Sequence, residues 1–413
     1  MLLSLQKINT FDPNLITDKL SLHLELMNDK TKMPTKEQKP RILSLDTLRG
    51  FDMFWIIGGG TLIEVLAKCF PAAWLQVLSR QMEHATWAGF HFEDLIFPLF
   101  MFISGVTIPI AVISKLEKGS SKKEVILKIA KRMLILIALG IIFNGTLRNG
   151  FSNARYVSIL GQIGISYFIA SLIVIYAKSL KNQLFWLCGL LIGYSVVQLL
   201  IPVPGIGSGI LTPYGCINSY IDRMLLPGRL AYGPDGEMVS GNGVFDALGI
   251  LSIISAIGVT LMGYFAGIIL LQKDSTPQKK LRILVGIGIG LIVLSLFISP
   301  FYPVIKKCWT TTYNILSGGI SFLLVALFYF VIDVLGYKKW TLFFRVIGTN
   351  SIFIYLIVVG NLLNISSTTT SLFGWIINPM SENAGQLVLV IGNITLAWLL
   401  LYLMYRKSIF IKV

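Results

Sequence analysis

The chain has 413 residues, 54% of them hydrophobic and only 13% charged, with a mean hydropathy of +0.75. A soluble globular chain of that length needs more charge to cover its surface, so the composition excludes one and points to the membrane. The net charge of +15 does not indicate nucleic acid, because Lys and Arg gather in short blocks between apolar runs.

Residues 1–40 are polar, contain Pro13, Pro34 and Pro40, and hold no apolar stretch long enough for a cleavable signal. They are expected to form a cytosolic tail, with a short amphipathic helix near 20–27. A hydrocarbon core about 30 Å thick takes roughly 20 apolar residues of helix to cross. Ten candidate runs follow, at 51–67, 94–114, 133–147, 156–177, 184–201, 246–271, 283–300, 313–335, 346–365 and 386–405. They predict an all-α, polytopic membrane bundle of about ten transmembrane helices over 41–413, with a long Pro- and Gly-rich extracytoplasmic loop at 202–245.

With ten spans, the side of the N-terminus carries 27 of the 35 Lys and Arg, and the opposite side 8. That bias places both termini in the cytoplasm. The string Gly286-x-Gly288-x-Gly290 has no strand before it, so it is read as close helix packing and not as a nucleotide fingerprint. Cys69, Cys188, Cys216 and Cys308 show no metal spacing and imply no disulfide framework.

The chemistry concentrates in Glu83–Pro98, EHATWAGFHFEDLIFP. Two of the three histidines of the chain, His84 and His91, stand there, and Glu93 and Asp94 open the following apolar run. A side chain that titrates near neutrality, beside acids at a membrane boundary, suits proton transfer. His84 reads as a general base or a nucleophile, or as an interfacial histidine bonded to a carbonyl. Asp94 reads as an N-cap of the second helix or as the carboxylate that orients His84. His91, two helical turns away, reads as interfacial or as an acceptor contact, and Glu93 as solvated. Asp52 lies one turn inside the membrane and is expected to face the interior with a partner. Asn350 and Ser351 suit interhelical hydrogen bonding. Lys306 is a solvent-facing loop cation or a contact to an acidic sugar.

Six stretches carry a family resemblance. Arg41–Gly50 (RILSLDTLRG) looks like the opening motif of membrane-bound acyltransferases. Glu83–Pro98, Arg155–Tyr167, Phe245–Gly267, Pro303–Tyr313 and Phe344–Tyr355 occur in the order found in the heparan-α-glucosaminide N-acetyltransferase family. The chain resembles a bacterial, DUF5009-like branch of it, departing at Phe51–Gly60, which lacks an Asn before the glycine run.

The resemblance implies an acetyltransferase of the bacterial inner membrane. It would move an acetyl group from cytosolic acetyl-CoA to an amino sugar or glycan on the extracytoplasmic side, with no metal. His84 and Asp94 would be catalytic. Arg49, Asp46, Lys131 and Arg132 would hold acetyl-CoA, and His91, Trp87, Asp246, Lys306 and Asn350 the acceptor. The partners are then acetyl-CoA, the acceptor and the lipid bilayer, without nucleic acid, a homodimer being left open. The competing class is a proton-coupled transporter of a small sugar-like or anionic solute, which Asp52, Asp246 and Asp333 would also suit. Two matching halves are not seen, and the titratable cluster sits at one boundary.

Overall fold

The computed structural model describes residues 42–146, 150–360 and 362–411. The expected tail at 1–40, with its helix near 20–27, lies outside the described residues, as does Arg148. The described chain is a polytopic helical membrane bundle, and its β-structure is limited to isolated bridges in the loops.

Helix α1 (Leu43–Phe54) continues through a π-helical turn, Trp55–Gly59, into α2 (Gly60–Cys69). Gly58 breaks the regular path there with φ of 142°, a value open to glycine at little cost. A short surface helix α3 (Ala73–Gln81) precedes the irregular segment that carries His84, and α4 (Glu93–Val106) follows it. Then come α5 (Lys122–Ile141), α6 (Ile159–Tyr176) and α7 (Leu180–Leu200). The long loop at 202–245, expected to be the outer one, holds α8 (Ile217–Leu225) and leads into α9 (Ile250–Leu271). The remainder is α10 (Pro277–Ile298), α11 (Thr311–Phe328), α12 (Thr341–Thr349), α13 (Ser351–Val358), α14 (Ile365–Ile377) and α15 (Glu382–Arg406).

The starts of these helices follow from local chemistry. Side-chain oxygens of Ser121, Ser158, Ser179, Thr276 and Thr310 each accept a backbone N–H of the first turn. Pro277 then occupies the first helical position, where its missing N–H costs nothing. Helix α9 is the centre, packing on α4, α6, α7 and α11. Its best apolar window is 72% buried, whereas that of α10 is 17% buried, which places α10 at the rim.

Among the described residues, eight helical stretches are long and apolar enough to cross a membrane, and the α12–α13 pair, bent by 78°, makes nine if it is one span. The remaining expected run, 133–147, overlaps α5, which starts eleven residues earlier and carries Lys122, Lys123, Lys128, Lys131 and Arg132. The expected span 346–365 is corrected to two short helices meeting at Asn350. The glycine string on α10 is corrected as well. Gly288 faces Gly319 and Leu323 of α11, while Gly286 and Gly290 meet open space among the described residues.

Candidate active site

The segment between α3 and α4 is irregular because its N–H groups are drawn to one acid instead of to each other. Asp94 Oδ2 accepts the N–H of Ala85 at 3.2 Å and of His91 at 3.0 Å. Helix α4 starts at Glu93 and receives no side-chain cap from Asp94, so the N-cap reading is replaced by one in which Asp94 shapes the histidine loop. A carboxylate in the first turn is also favoured by the helix dipole. The loop is fastened from outside by the N–H of Gly89 on the carbonyl of Val304, at 2.9 Å.

Asp94 is fully buried, and its second oxygen meets two groups. His84 Nδ1 is 3.1 Å from Oδ1, and Lys306 Nζ is 3.3 Å from the same oxygen. Lys306 Nζ also stands 3.1 Å from His84 Nδ1 and 3.5 Å from Nε2. Neither approach at Oδ1 has the direction of a good hydrogen bond, so that oxygen is held chiefly by charge. The His84 side chain is 52% exposed and that of Lys306 is 19% exposed, so the cluster opens on the histidine side. Burial pushes the Lys306 ammonium down from its ordinary value, and Asp94 pulls it back up.

His84 and Lys306 border a cavity of about 380 Å³, large enough for a small ligand, with Asp94 buried behind them. His84 and Lys306 line it with Glu64, Glu93, Arg155 and Lys307, among aromatic and aliphatic walls that include Trp55, Phe97, Tyr232, Trp309 and Tyr355. Glu93 therefore turns to the cavity and not to bulk solvent. Trp309 is buried with φ of 48°, an unusual backbone for a bulky residue. It is fixed there by its carbonyl, which accepts from Ser255 Oγ at 2.7 Å, and by edge contacts with Phe97 and Tyr313. The Tyr313 hydroxyl in turn donates to the Asp94 carbonyl at 2.8 Å.

Four residues expected at the acceptor do not line this cavity. Trp87 donates its indole N–H to the Leu211 carbonyl at 2.7 Å and packs on Phe245, pinning the outer loop. His91 Nδ1 lies 2.9 Å from the Glu83 carbonyl. Asp246 is fully buried and gripped by Arg155 through two bonds of 2.7 and 2.6 Å, so its carboxylate is not free for an amine. Asn350 sits at the α12–α13 bend with both ends used by the C-terminal backbone, at Ile409 and Ile411. Lys306 is the exception, and it reaches Asp94 instead of projecting into solvent.

Glu64 and Lys307, which no motif singled out, line the cavity, and Arg155 and Glu93 join them there. Arg155 had a signal, a lone cation beside an apolar run matched by the lone acid Asp246 at the head of another. Lys307 donates to the carbonyls of Thr86 at 2.8 Å and Gly236 at 2.6 Å, tying the histidine loop to the outer loop.

The other expected cluster lies on α1, on the far side of the Gly58 break from the cavity residue Gly60. Arg49 Nη1 is 3.7 Å from Asp46 Oδ1, and the charge of Arg132 on α5 also acts on Arg49. Arg132 lies over the Tyr167 ring at 4.8 Å, with its buried Nε lacking a partner among the described residues. Lys131 is exposed beside it. Asp52, between the two clusters, is fully buried, and both its oxygens lack a hydrogen-bond partner among the described residues, contrary to the expected pairing.

Residues 41–198 match a family model described as a domain of unknown function, DUF5009. The chain is also similar to heparan-alpha-glucosaminide N-acetyltransferase of Homo sapiens, 30% identical with 91% of this chain and 60% of that protein covered. It is 28% identical to the Mus musculus enzyme of the same name, over 80% of this chain and 56% of that one. The chain belongs to the heparan-alpha-glucosaminide N-acetyltransferase-like family. It spans somewhat over half the length of these two relatives. The His84–Asp94–Lys306 cluster, the Arg155–Asp246 pair and the Arg49–Arg132 pair all fall inside the stretches that carried the resemblance or on helices next to them.

Proposed function

We propose that this protein transfers an acetyl group from acetyl-CoA, held at the Arg49 end of α1, to the amine of an amino sugar or glycan in the His84 cavity. The observation that carries the reading is a histidine backed by a buried carboxylate and a lysine in the wall of a ligand-sized cavity, in a member of this family. The 27-to-8 charge split supports a cytoplasmic face for the Arg49 end and an extracytoplasmic face for the cavity, in a bacterial inner membrane.

The inner end fits a polyanionic donor. Arg49 and Arg132 offer charge, and Arg132 Nε is a buried donor that a phosphate oxygen would satisfy. Acetyl-CoA supplies the acyl thioester. His84, whose Nδ1 faces Asp94 and Lys306, offers a ring-nitrogen lone pair to the incoming amine. His84 takes the proton as the nitrogen attacks the acyl carbon, and the C–S bond breaks to release the CoA thiolate. Attack by His84 itself, giving an acetyl-imidazole before transfer, uses the same geometry.

The test is transfer of labelled acetyl from acetyl-CoA to a panel of amino sugars by the purified full chain. Product with one or more amines, at the expense of acetyl-CoA, is expected. An active family member run as control, with no product and no CoA release here, would refute the reading.

A further inference from the structure

We propose that Cys216 and Cys308 are joined by a disulfide in the native protein, stapling the head of α8 to the loop that carries Lys306. The two sulfurs lie 3.7 Å apart although 92 residues separate them in the chain. Both are fully buried and pack with Ile305, next to Trp87 and Leu211. Thiols this close and shielded together need only a small rotation to bond, whereas unrelated cysteines seldom meet across such a separation.

The position gives the bond a task. Cys308 stands between the cavity residues Lys307 and Trp309, two residues after Lys306, and its carbonyl accepts from Tyr194 at 2.6 Å and Gln198 at 3.0 Å. Cys216 caps α8 and so belongs to the outer loop, whose other ties to the site include the Trp87–Leu211 and Lys307–Gly236 hydrogen bonds. A covalent link there would fix the loop against the cavity wall.

The Cys216 thiolate attacks the disulfide of an oxidised dithiol protein or small disulfide, forming a mixed disulfide and releasing one thiolate. The Cys308 thiolate then attacks Cys216 Sγ, forming the internal bond and expelling the second thiol. Two protons and two electrons leave with the oxidant, now two thiols. Because both sulfurs are buried, the exchange belongs to the stage before the outer loop packs. The inference rests on the outward orientation of the cavity given above, since oxidation persists outside the cytoplasm.

The test uses the full chain taken from membranes without reductant, denatured in excess alkylating reagent and mapped by mass spectrometry. The expected result is a cross-linked Cys216–Cys308 peptide in most of the material, with Cys69 and Cys188 alkylated as internal controls. Reduction should then lower the melting temperature of the folded protein by about 5 °C or more. Both cysteines recovered as alkylated thiols would overturn the proposal, and so would a cross-link whose reduction leaves the melting temperature unchanged. Acetyl transfer is measured separately, so failure of the disulfide and failure of the enzymatic reading give different results.

Discussion

Lys306 Nζ lies 3.1 Å from His84 Nδ1, and 222 residues of chain separate the two. The contact exists because the loop before α11 folds down on the histidine segment, held by the Gly89–Val304 bond and by Lys307 on Thr86. Asp94 is the shared neighbour, 3.1 Å from His84 and 3.3 Å from Lys306. The three side chains thus make one charge-balanced unit, and changes to them should not add.

Lys306→Met and Asp94→Asn are each expected to lower kcat by roughly 10- to 10³-fold. The double variant should be little worse than the poorer single one, since each change already dissolves the unit. A double-mutant cycle on acetyl-transfer turnover checks this. Strictly multiplicative losses would mean that the two residues act apart.

At the inner end, Arg49→Ala and Arg132→Ala should raise the KM for acetyl-CoA by about 10-fold each while leaving kcat at saturation nearly unchanged. Lys131→Ala should do less, because Lys131 is exposed and Arg132 holds the buried donor. Steady-state kinetics against acetyl-CoA distinguish them, and equal, unaltered KM values would remove the assignment.

Arg155 and Asp246 form a buried bidentate pair at the outer heads of α6 and α9. Arg155→Ala would leave Asp246 charged, buried and short of its partner, which costs about 3–5 kcal/mol. Arg155→Met with Asp246→Leu should recover much of that loss. Denaturation in detergent of the three proteins measures it; a single variant as stable as the parent would show the pair to be dispensable.

Asp222 provides a pH test outside the spans. Burial above all, and then the charge of Asp246, push its carboxyl from 3.8 up to about 7, against the N–H bonds from Asp246 and Ile250. The folded protein therefore holds this proton more tightly than the unfolded chain. The resulting stability is full below pH about 4 and is lost as pH rises through about 7, a change on the order of 4 kcal/mol. Hydrogen exchange of the α8–α9 junction should accelerate correspondingly between pH 5 and 8 after correction for intrinsic rates. Asp222→Asn should flatten that dependence, and a wild-type junction that tightens with rising pH would contradict it.

Much of the bundle was legible because hydropathy is a local property: each of the ten apolar runs overlaps a helix. The bend at Asn350 was not, since it depends on the C-terminal backbone returning to bond that side chain. The histidine segment was legible for a similar reason, with His84, Asp94 and their loop lying within eleven residues. Lys306, Arg155 with Asp246, and the Cys216–Cys308 approach depend on pairings across 90 residues or more, which no local spacing reveals. The family resemblance implies Trp87 and Asp246 at the acceptor. Their hydrogen bonds show how a polar group at a helix end can instead be spent on holding the loop above the site.

The central claim is that His84 carries the acyl-transfer step, and the most direct measurement compares turnover of His84→Ala with that of His91→Ala in matched, folded preparations. His84→Ala should melt normally and bind acetyl-CoA, yet lose about 10²- to 10⁴-fold in kcat. His91→Ala, whose ring meets only the Glu83 carbonyl and lies off the cavity wall, should keep most of its turnover. Near-normal turnover in His84→Ala would contradict the account.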